Sequence, residues 1–222
     1  MHQQINKRII LYFFLFIILG TLNNKDLVNL ELPKINSINI KGLDINSDQL
    51  VKDLEFLKMK NLFLINKFEI RNLLDSNNLI EEYRVFKKYP NTIDIEIIKT
   101  SFLAQINIDG KFFFIGSNGR LIQTEYRDDD LPYFFGNLDI QNFLFLKKII
   151  DESNLDFSEI KNLYFFNSGR WDLEIQSDIL IKLPRNNLKE SLDLSLRLLN
   201  DKKFEKIKTI DVRQKNQIVI NE

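Results

Sequence analysis

The stretch that decides the fold is RVFKKYPNTIDIEIIKT, residues 84–100. Pro90 separates two runs that are typical of β-strands, and in the second run Ile93, Ile95 and Ile97 alternate with charged residues. This alternation predicts a strand with one buried face. Proline has no backbone N–H and keeps the residue before it extended, so we expect the chain to turn here between two antiparallel strands.

Strand and helix patterns precede this hairpin. INSINIKG, residues 35–42, alternates as a strand does and ends at a glycine. Segments 46–57 and 66–76 carry apolar residues at helical spacing, and Asn46 can cap the first of them. The order β-α-α-β-β predicts a small sheet with both helices on one face. The predicted core residues of the second helix are Phe68, Leu73 and Leu74.

From residue 102 onward the pattern is mostly that of β-structure. Asp109-Gly110 and Asn118-Gly119 each separate two strand-like runs, and both dipeptides favour tight hairpin turns, so we expect a three-stranded meander. Further strands are predicted at residues 170–176, 179–184, 207–213 and 217–222. Two helices are predicted at 138–153, capped by Asp139, and at 187–201, capped by Asn187 with Glu190.

The N-terminal segment contains a short apolar run behind two basic residues, Lys7 and Arg8. We expect a cytoplasmic tail at 1–8, a transmembrane anchor at 9–23 and a linker at 24–34. The run is short for a bilayer, so a cleaved signal peptide is the alternative, although the residues after Gly20 match a cleavage site poorly.

Composition excludes several function classes. The formal net charge is zero, which argues against a nucleic-acid partner. The chain has no cysteine and one histidine, His2, so thiol, histidine and Cys-type metal chemistry is not expected in its body. The carboxylates at 128–130 lack the spacing of a calcium loop and are interpreted as a solvated loop. We therefore predict no enzyme activity, no metal and no cofactor.

A chain without catalytic residues, with one predicted anchor helix and a mostly β outer domain, is expected to work by binding other proteins. The last predicted strand, within 217–220, would offer free backbone groups to a partner strand if it lies at a sheet edge. Alternatively, it closes its own sheet and is protected. The sequence leaves both possibilities open.

The segments together resemble the bacterial FtsQ/DivIB cell-division family. The resemblance rests on INIKG before the first helix, KNLFLIN between the helices, LIEEYRVFKKYPNTIDIEI for the paired strands, and WDLEIQSDILIKLP followed by a Leu-rich helix and IDVR. It implies an α+β fold: one N-terminal transmembrane helix, a β-α-α-β-β POTRA domain at 35–100, and a mostly antiparallel β domain with two helices at 101–222.

The resemblance also implies a function. Members of the family are non-enzymatic divisome scaffolds that bind the small coiled-coil proteins FtsB and FtsL and help to regulate septal peptidoglycan synthesis. Their POTRA domain lies near the membrane and is expected to contact other divisome members. They lie in the inner membrane, with the main body periplasmic, and gather at mid-cell. Their partner docks by strand addition at the C-terminal strand. Carried over, the binding residues are Val212, Arg213, Gln214, Asn216, Gln217, Ile218, Val219 and Ile220.

Two other functions remain open from the sequence. A POTRA-type transport protein or chaperone would bind extended polypeptides along the strand at 91–99. An envelope hydrolase would need a pair of carboxylates in a cleft, and the sequence gives no such pair.

Overall fold

A computed structural model describes residues 7–22, 33–42, 47–201, 207–214 and 217–221. The architecture is α+β, with a three-stranded and a nine-stranded sheet. The predicted cap Asn46 lies outside the described residues, as does most of the predicted linker.

The three-stranded sheet consists of β1 (Ser37–Lys41), β2 (Ile80–Lys88) and β3 (Thr92–Lys99) in the order β1-β3-β2. The central strand β3 is parallel to β1 and antiparallel to β2. The predicted turn at Pro90 joins β2 to β3, and the Tyr89–Pro90 peptide bond is cis. Two helices, described next, lie between β1 and β2 in the sequence, so the predicted β-α-α-β-β order is confirmed.

Two helices accompany this sheet: α2 (Ser47–Leu54), which continues as a 3-10 helix (Glu55–Met59), and α3 (Lys67–Asp75). The predicted inward face of β3 is confirmed, because its alternating isoleucines are all buried in one core with leucines of both helices. Leu74 is buried as predicted, but Phe68 is 67% exposed and the prediction that it belongs to the core is wrong. Ile70 takes the inward position instead, one helical turn before Leu74.

The nine-stranded sheet has the order β12-β11-β10-β9-β8-β7-β4-β5-β6. Most neighbours are antiparallel, but β4/β7, β7/β8 and β10/β11 are parallel. The sequence patterns did not predict β7 and β8. The strands are β4 (Phe102–Ile108), β5 (Lys111–Gly116), β6 (Leu121–Thr124), β7 (Tyr133–Phe135), β8 (Ile160–Phe165), β9 (Trp171–Ile175), β10 (Leu180–Leu183), β11 (Thr209–Asp211) and β12 (Val219–Asn221).

Both predicted hairpins of the meander are present, with different turns. Asp109 and Gly110 have φ of 51° and 80°, which is the two-residue turn that this dipeptide favours. The second loop covers residues 117–120 between β5 and β6, and Gly119 alone has a positive φ there, of 73°.

Helices α4 (Ile140–Asp151) and α5 (Leu188–Leu199) share one core with this sheet. Asp139 caps α4 as predicted, since its carboxylate accepts a hydrogen bond from Asn142 N at 3.1 Å. The predicted capping pair of α5 is wrong. Asn187 precedes that helix with a left-handed φ of 56° and makes no side-chain cap.

A polar junction connects the two sheets. Glu81 on β2 accepts hydrogen bonds from Thr100 Oγ1 at 3.0 Å and from Ser117 Oγ at 2.7 Å. Asn118 Nδ2 donates to the carbonyl oxygens of Asn78 and Ile80, each at 3.0 Å. The β5–β6 loop therefore holds the start of β2 by side-chain hydrogen bonds.

Helix α1 (Lys7–Leu22) covers the predicted anchor except for residue 23, which lies outside the described residues. None of the described helices combines the length and the apolar character that crossing a membrane requires. The anchor stays a prediction.

Gly136→Ala is expected to destabilise the β domain more than Gly110→Ala. Both glycines have a positive φ, of 114° and 80°, which costs a non-glycine residue about 1–2 kcal/mol. At position 136 a Cβ would also lie 2.0 Å from the carbonyl oxygen of Phe165, whereas nothing lies within 4 Å of one at position 110. Urea unfolding followed by the fluorescence of Trp171 measures both costs. Equal costs would contradict the close approach of β7 and β8.

Candidate partner-docking edge

The C-terminal strand β12 lies at one end of the nine-stranded sheet. It pairs antiparallel with β11, opposite Thr209, Ile210 and Asp211, and β11 in turn pairs with β10. No other described strand pairs with the outer side of β12. The backbone groups on that side are therefore available to a strand from another chain.

The side chains of β12 alternate between the core and the solvent. Ile220 is half-buried and packs against the core, opposite the fully buried Ile210. Val219 is 56% exposed, and Ile218 just before the strand is 41% exposed. The edge therefore offers exposed apolar side chains next to its unpaired backbone groups.

A groove of about 850 Å³ lies beside this edge. One wall is the start of α5, with Asn187, Glu190 and Leu194, and the other is the connection from β11 to β12. The two walls meet because β10 and β11 are parallel, so the chain leaves both strands at the same end of the sheet. The residues that line the groove are partly polar and partly apolar, and such a lining suits the binding of a peptide segment.

The groove also has a fixed charged wall. Arg213 Nε donates to Asp211 Oδ1 at 2.7 Å, and the backbone N–H of Arg213 donates to the same oxygen at 3.1 Å. A second guanidinium nitrogen of Arg213 binds the other carboxylate oxygen. The hydrogen bonds from Arg213 lower the pKa of Asp211, which is mostly buried. This pair orients the Arg213 side chain where the chain leaves β11.

Charges continue along the outer face of the sheet. Asp172, Lys182 and Asp211 stand opposite one another on β9, β10 and β11 and share a face with Val219. Burial raises the pKa of Asp172, and the cations of Arg170, Arg213 and Lys182 oppose that rise. Among the described residues, Asp172 Oδ1 has no hydrogen-bond partner. The row of charges leads directly to the β12 edge.

Two family models match the chain. A POTRA domain of the FtsQ type matches residues 34–99, and the C-terminal domain of the cell-division protein FtsQ/DivIB matches residues 104–213. Together they cover most of the sequence. The chain belongs to the FtsQ/DivIB family.

Curated relatives agree with the two domains. FtsQ from Rickettsia bellii is 26% identical over 193 residues, which are 84% of this chain and 72% of the relative. DivIB from Clostridium botulinum is 33% identical over 124 residues, which are 54% of this chain and 46% of the relative. The solved extracytoplasmic domain of DivIB from Geobacillus stearothermophilus covers 42% of this chain at 14% identity and a TM-score of 0.33, too low to support a conclusion. This FtsQ/DivIB protein is a cell-division protein.

The structure brings most of the predicted binding residues to one place. Val219 and Ile220 belong to β12, and Asn216 lies outside the described residues. Val212 is only 6% exposed, so its side chain is mainly core. The match to the C-terminal family domain ends at residue 213, before β12. The predicted residues that line the groove are Val212, Arg213, Gln214, Gln217 and Ile218.

The sequence patterns did not predict the α5 wall of the groove. Asn187 and Glu190 were predicted to be a capping pair, whereas both line the groove. The available signal was the run Pro184-Arg185-Asn186-Asn187, which is polar and lies between a strand and a helix. Such a connection is exposed and can carry a binding function.

The strand proposed for polypeptide binding is not free. Over Thr92–Glu96, β3 pairs with β1 on one side and with β2 on the other. The prediction that extended peptides add to this strand is wrong for that stretch, because its backbone groups already have partners.

The carboxylates at 128–130 form a locally hydrogen-bonded loop. Asp128 Oδ1 accepts from the backbone N–H of Asp130 at 3.1 Å, and Gln105 Oε1 accepts from that of Asp128 at 3.1 Å. Within the described ranges no group of three His, Cys, Asp or Glu side chains is placed to hold a metal ion.

Asp211→Asn is expected to destabilise the β domain by about 1–2 kcal/mol at neutral pH, because it weakens the charged hydrogen bonds from the partly exposed Arg213. The folded pKa of Asp211 is lowered, so its contribution is present above the unfolded value of about 3.9 and is lost as pH falls through the folded pKa. Urea midpoints measured from neutral to acidic pH should therefore fall less in the variant than in the parent.

Asp151→Asn is the control for this experiment. Asp151 forms an i,i+4 pair with Lys147 on the surface of α4 and is 52% exposed, so its removal should change stability little. Identical pH profiles for the parent and Asp211→Asn would contradict the role given to the Asp211–Arg213 pair.

Proposed function

We propose that this protein is a non-enzymatic divisome scaffold that binds small coiled-coil division proteins of the FtsB and FtsL type and so helps to regulate septal peptidoglycan synthesis. The observation that carries the proposal is the position of β12 at the end of the nine-stranded sheet, with its outer side unpaired among the described strands. Family membership supplies the context of cell division.

Partner docking by strand addition uses two parts of this edge. The outer backbone groups of β12 pair with an extended segment of the partner, which supplies affinity with little dependence on sequence. Ile218 and Val219 provide exposed apolar contacts beside these backbone hydrogen bonds. The groove beside α5 binds side chains of the partner residues that adjoin the added strand. Specificity then depends on the groove and on the oriented Arg213.

Membrane attachment is part of the same proposal. Every residue from Ile9 to Leu19 is a large hydrophobic, and each is 41–76% exposed. Exposure of so many apolar side chains to water is unfavourable in free energy. The basic residues Lys7 and Arg8 before them favour a cytoplasmic N-terminus. The two domains would then lie in the periplasm and gather at the septum.

Val219→Pro is expected to weaken binding of the FtsB-type partner by tenfold or more, that is by at least about 1.4 kcal/mol. The register places the backbone N–H of Val219 toward Asp211 of β11, so proline at this position removes a donor that holds β12 on the sheet. The edge to which the partner strand adds is then lost. Titration of the full-length variant with the partner, by calorimetry or anisotropy, measures the loss.

Gln123→Pro is the matched control, because Gln123 is an exposed residue of β6, the strand at the opposite end of the same sheet. It should leave partner binding unchanged. The fluorescence of the buried Trp171 reports whether each variant is folded. Full binding by folded Val219→Pro would refute docking at β12.

A fluorescent protein fused before Met1 should form a band at mid-cell during constriction, because the family acts in cell division. Time-lapse imaging through the division cycle tests this. An even envelope signal would contradict the divisome role and would favour a transport or chaperone function.

A further inference from the structure

The three-stranded unit carries a group of exposed apolar side chains around one loop, residues 61–66. Phe63 and Leu64 are 52% and 79% exposed at its tip, and Tyr89 from the β2–β3 turn is 59% exposed. The rings of Phe63 and Tyr89 lie 4.8 Å apart, so the loop and the turn form one surface. We call Phe63, Leu64 and Tyr89 the loop-tip cluster.

The loop holds these side chains outward in a fixed conformation. Leu62 and Ile65, on either side of the tip, are buried in the core. Phe63 N donates to Asn61 Oδ1 at 2.8 Å, and Lys87 Nζ donates to the carbonyl oxygen of Leu62 at 3.0 Å. The exposure of the tip therefore does not come from a loose loop, and two adjacent apolar residues face water at a cost.

The loop is bound to the segment by which the chain arrives from α1. Lys34 forms an antiparallel bridge with Asn61, and Ile35 N donates to the carbonyl oxygen of Lys60 at 3.1 Å. From Leu22 at the end of α1 to Pro33 the chain can span at most about 40 Å. The length of this connection therefore limits how far the loop-tip cluster can lie from the end of the proposed membrane helix.

The surroundings of the cluster are basic. The nearby carboxylates of Glu69 and Asp94 are each paired with a lysine, Lys60 and Lys88 respectively. Lys34 and Lys67 are exposed and have no carboxylate partner within the described ranges. Exposed apolar and aromatic side chains with unpaired lysines beside them suit the interface of an anionic bilayer.

We propose that the loop-tip cluster docks on the anionic phospholipid surface next to α1 and so fixes how the POTRA domain stands on the membrane. This inference rests on the membrane attachment within the proposed function. Phe63, Leu64 and Tyr89 enter the interfacial region, and Lys34 and Lys67 bind lipid phosphates. The β12 edge belongs to the other sheet, so this docking does not use the proposed partner-binding strand.

The absence of cysteine permits a direct test with the full-length chain. Leu64→Cys carries a polarity-sensitive dye, and Lys111→Cys at the exposed start of β5 carries the same dye as the control. Each protein is reconstituted into vesicles of phosphatidylcholine alone or with phosphatidylglycerol. Flotation of the vesicles reports whether the chain is membrane-bound at all.

The dye at position 64 should shift its emission to the blue in vesicles that contain phosphatidylglycerol, and the dye at 111 should not. Adding Lys34→Glu and Lys67→Glu should abolish or strongly reduce the shift, since each lysine near an anionic surface contributes roughly fivefold to association. High salt should act in the same direction.

Several results would overturn the inference. One is a dye at position 64 that remains in water while the chain floats with anionic vesicles, and another is an equal shift at position 111. A shift that needs the coiled-coil partner rather than lipid would assign the cluster to a protein contact. A chain that does not float with the vesicles would contradict both the membrane anchor and this docking surface. Titration with the partner that binds β12 tests the scaffold function separately.

Discussion

The proposed docking edge depends on the insertion of Ile210 between β10 and β12. Ile210 is fully buried and stands opposite Ile181 on one side and Ile220 on the other. Strand β11 pairs through three residues with each of its neighbours. The short ladder between β11 and β12 therefore holds β12 at the end of the sheet. Full burial of an isoleucine contributes about 1.5–3 kcal/mol, which is large for so short a strand.

The parallel pairing of β10 with β11 explains why a groove lies beside this edge. Parallel neighbours need a crossover connection, and here α5 is that connection. The crossover returns the chain to the starting end of the sheet, so the first residues of α5 and the first residues after β11 come together at the opposite end. Asn187 and Arg213 face the same groove for this topological reason.

Strands with an apolar face could be predicted from the sequence, because the alternating apolar residues of β3 and β9 all lie in the cores. The alternation did not show that Asp172, on the other face of β9, is buried as well. Turn chemistry was equally informative at Asp109-Gly110. Strand β7 has three residues and β8 mixes polar and apolar positions, so neither shows a clear period. Phe68 and Asn187 were misplaced because helical phase and cap geometry depend on how a helix meets its sheet.

The sequence patterns left open whether the last strand is a sheet edge, and only the family resemblance favoured it as the proposed docking edge. Whether a strand is an edge depends on the order of all strands in the sheet, and three parallel pairings set that order here. The α5 wall of the groove has the same origin, since no local pattern shows that Glu190 will stand near Gln217. Local patterns therefore predict elements, and long-range pairing creates the site.

Hydrogen exchange with and without the FtsB-type partner tests docking at β12 most directly. Strand addition at β12 predicts that backbone amides of residues 217–221 exchange more slowly in the complex, while those of β6 at the opposite edge do not change. Saturating partner that protects another region and leaves the exchange of residues 217–221 unchanged would contradict it.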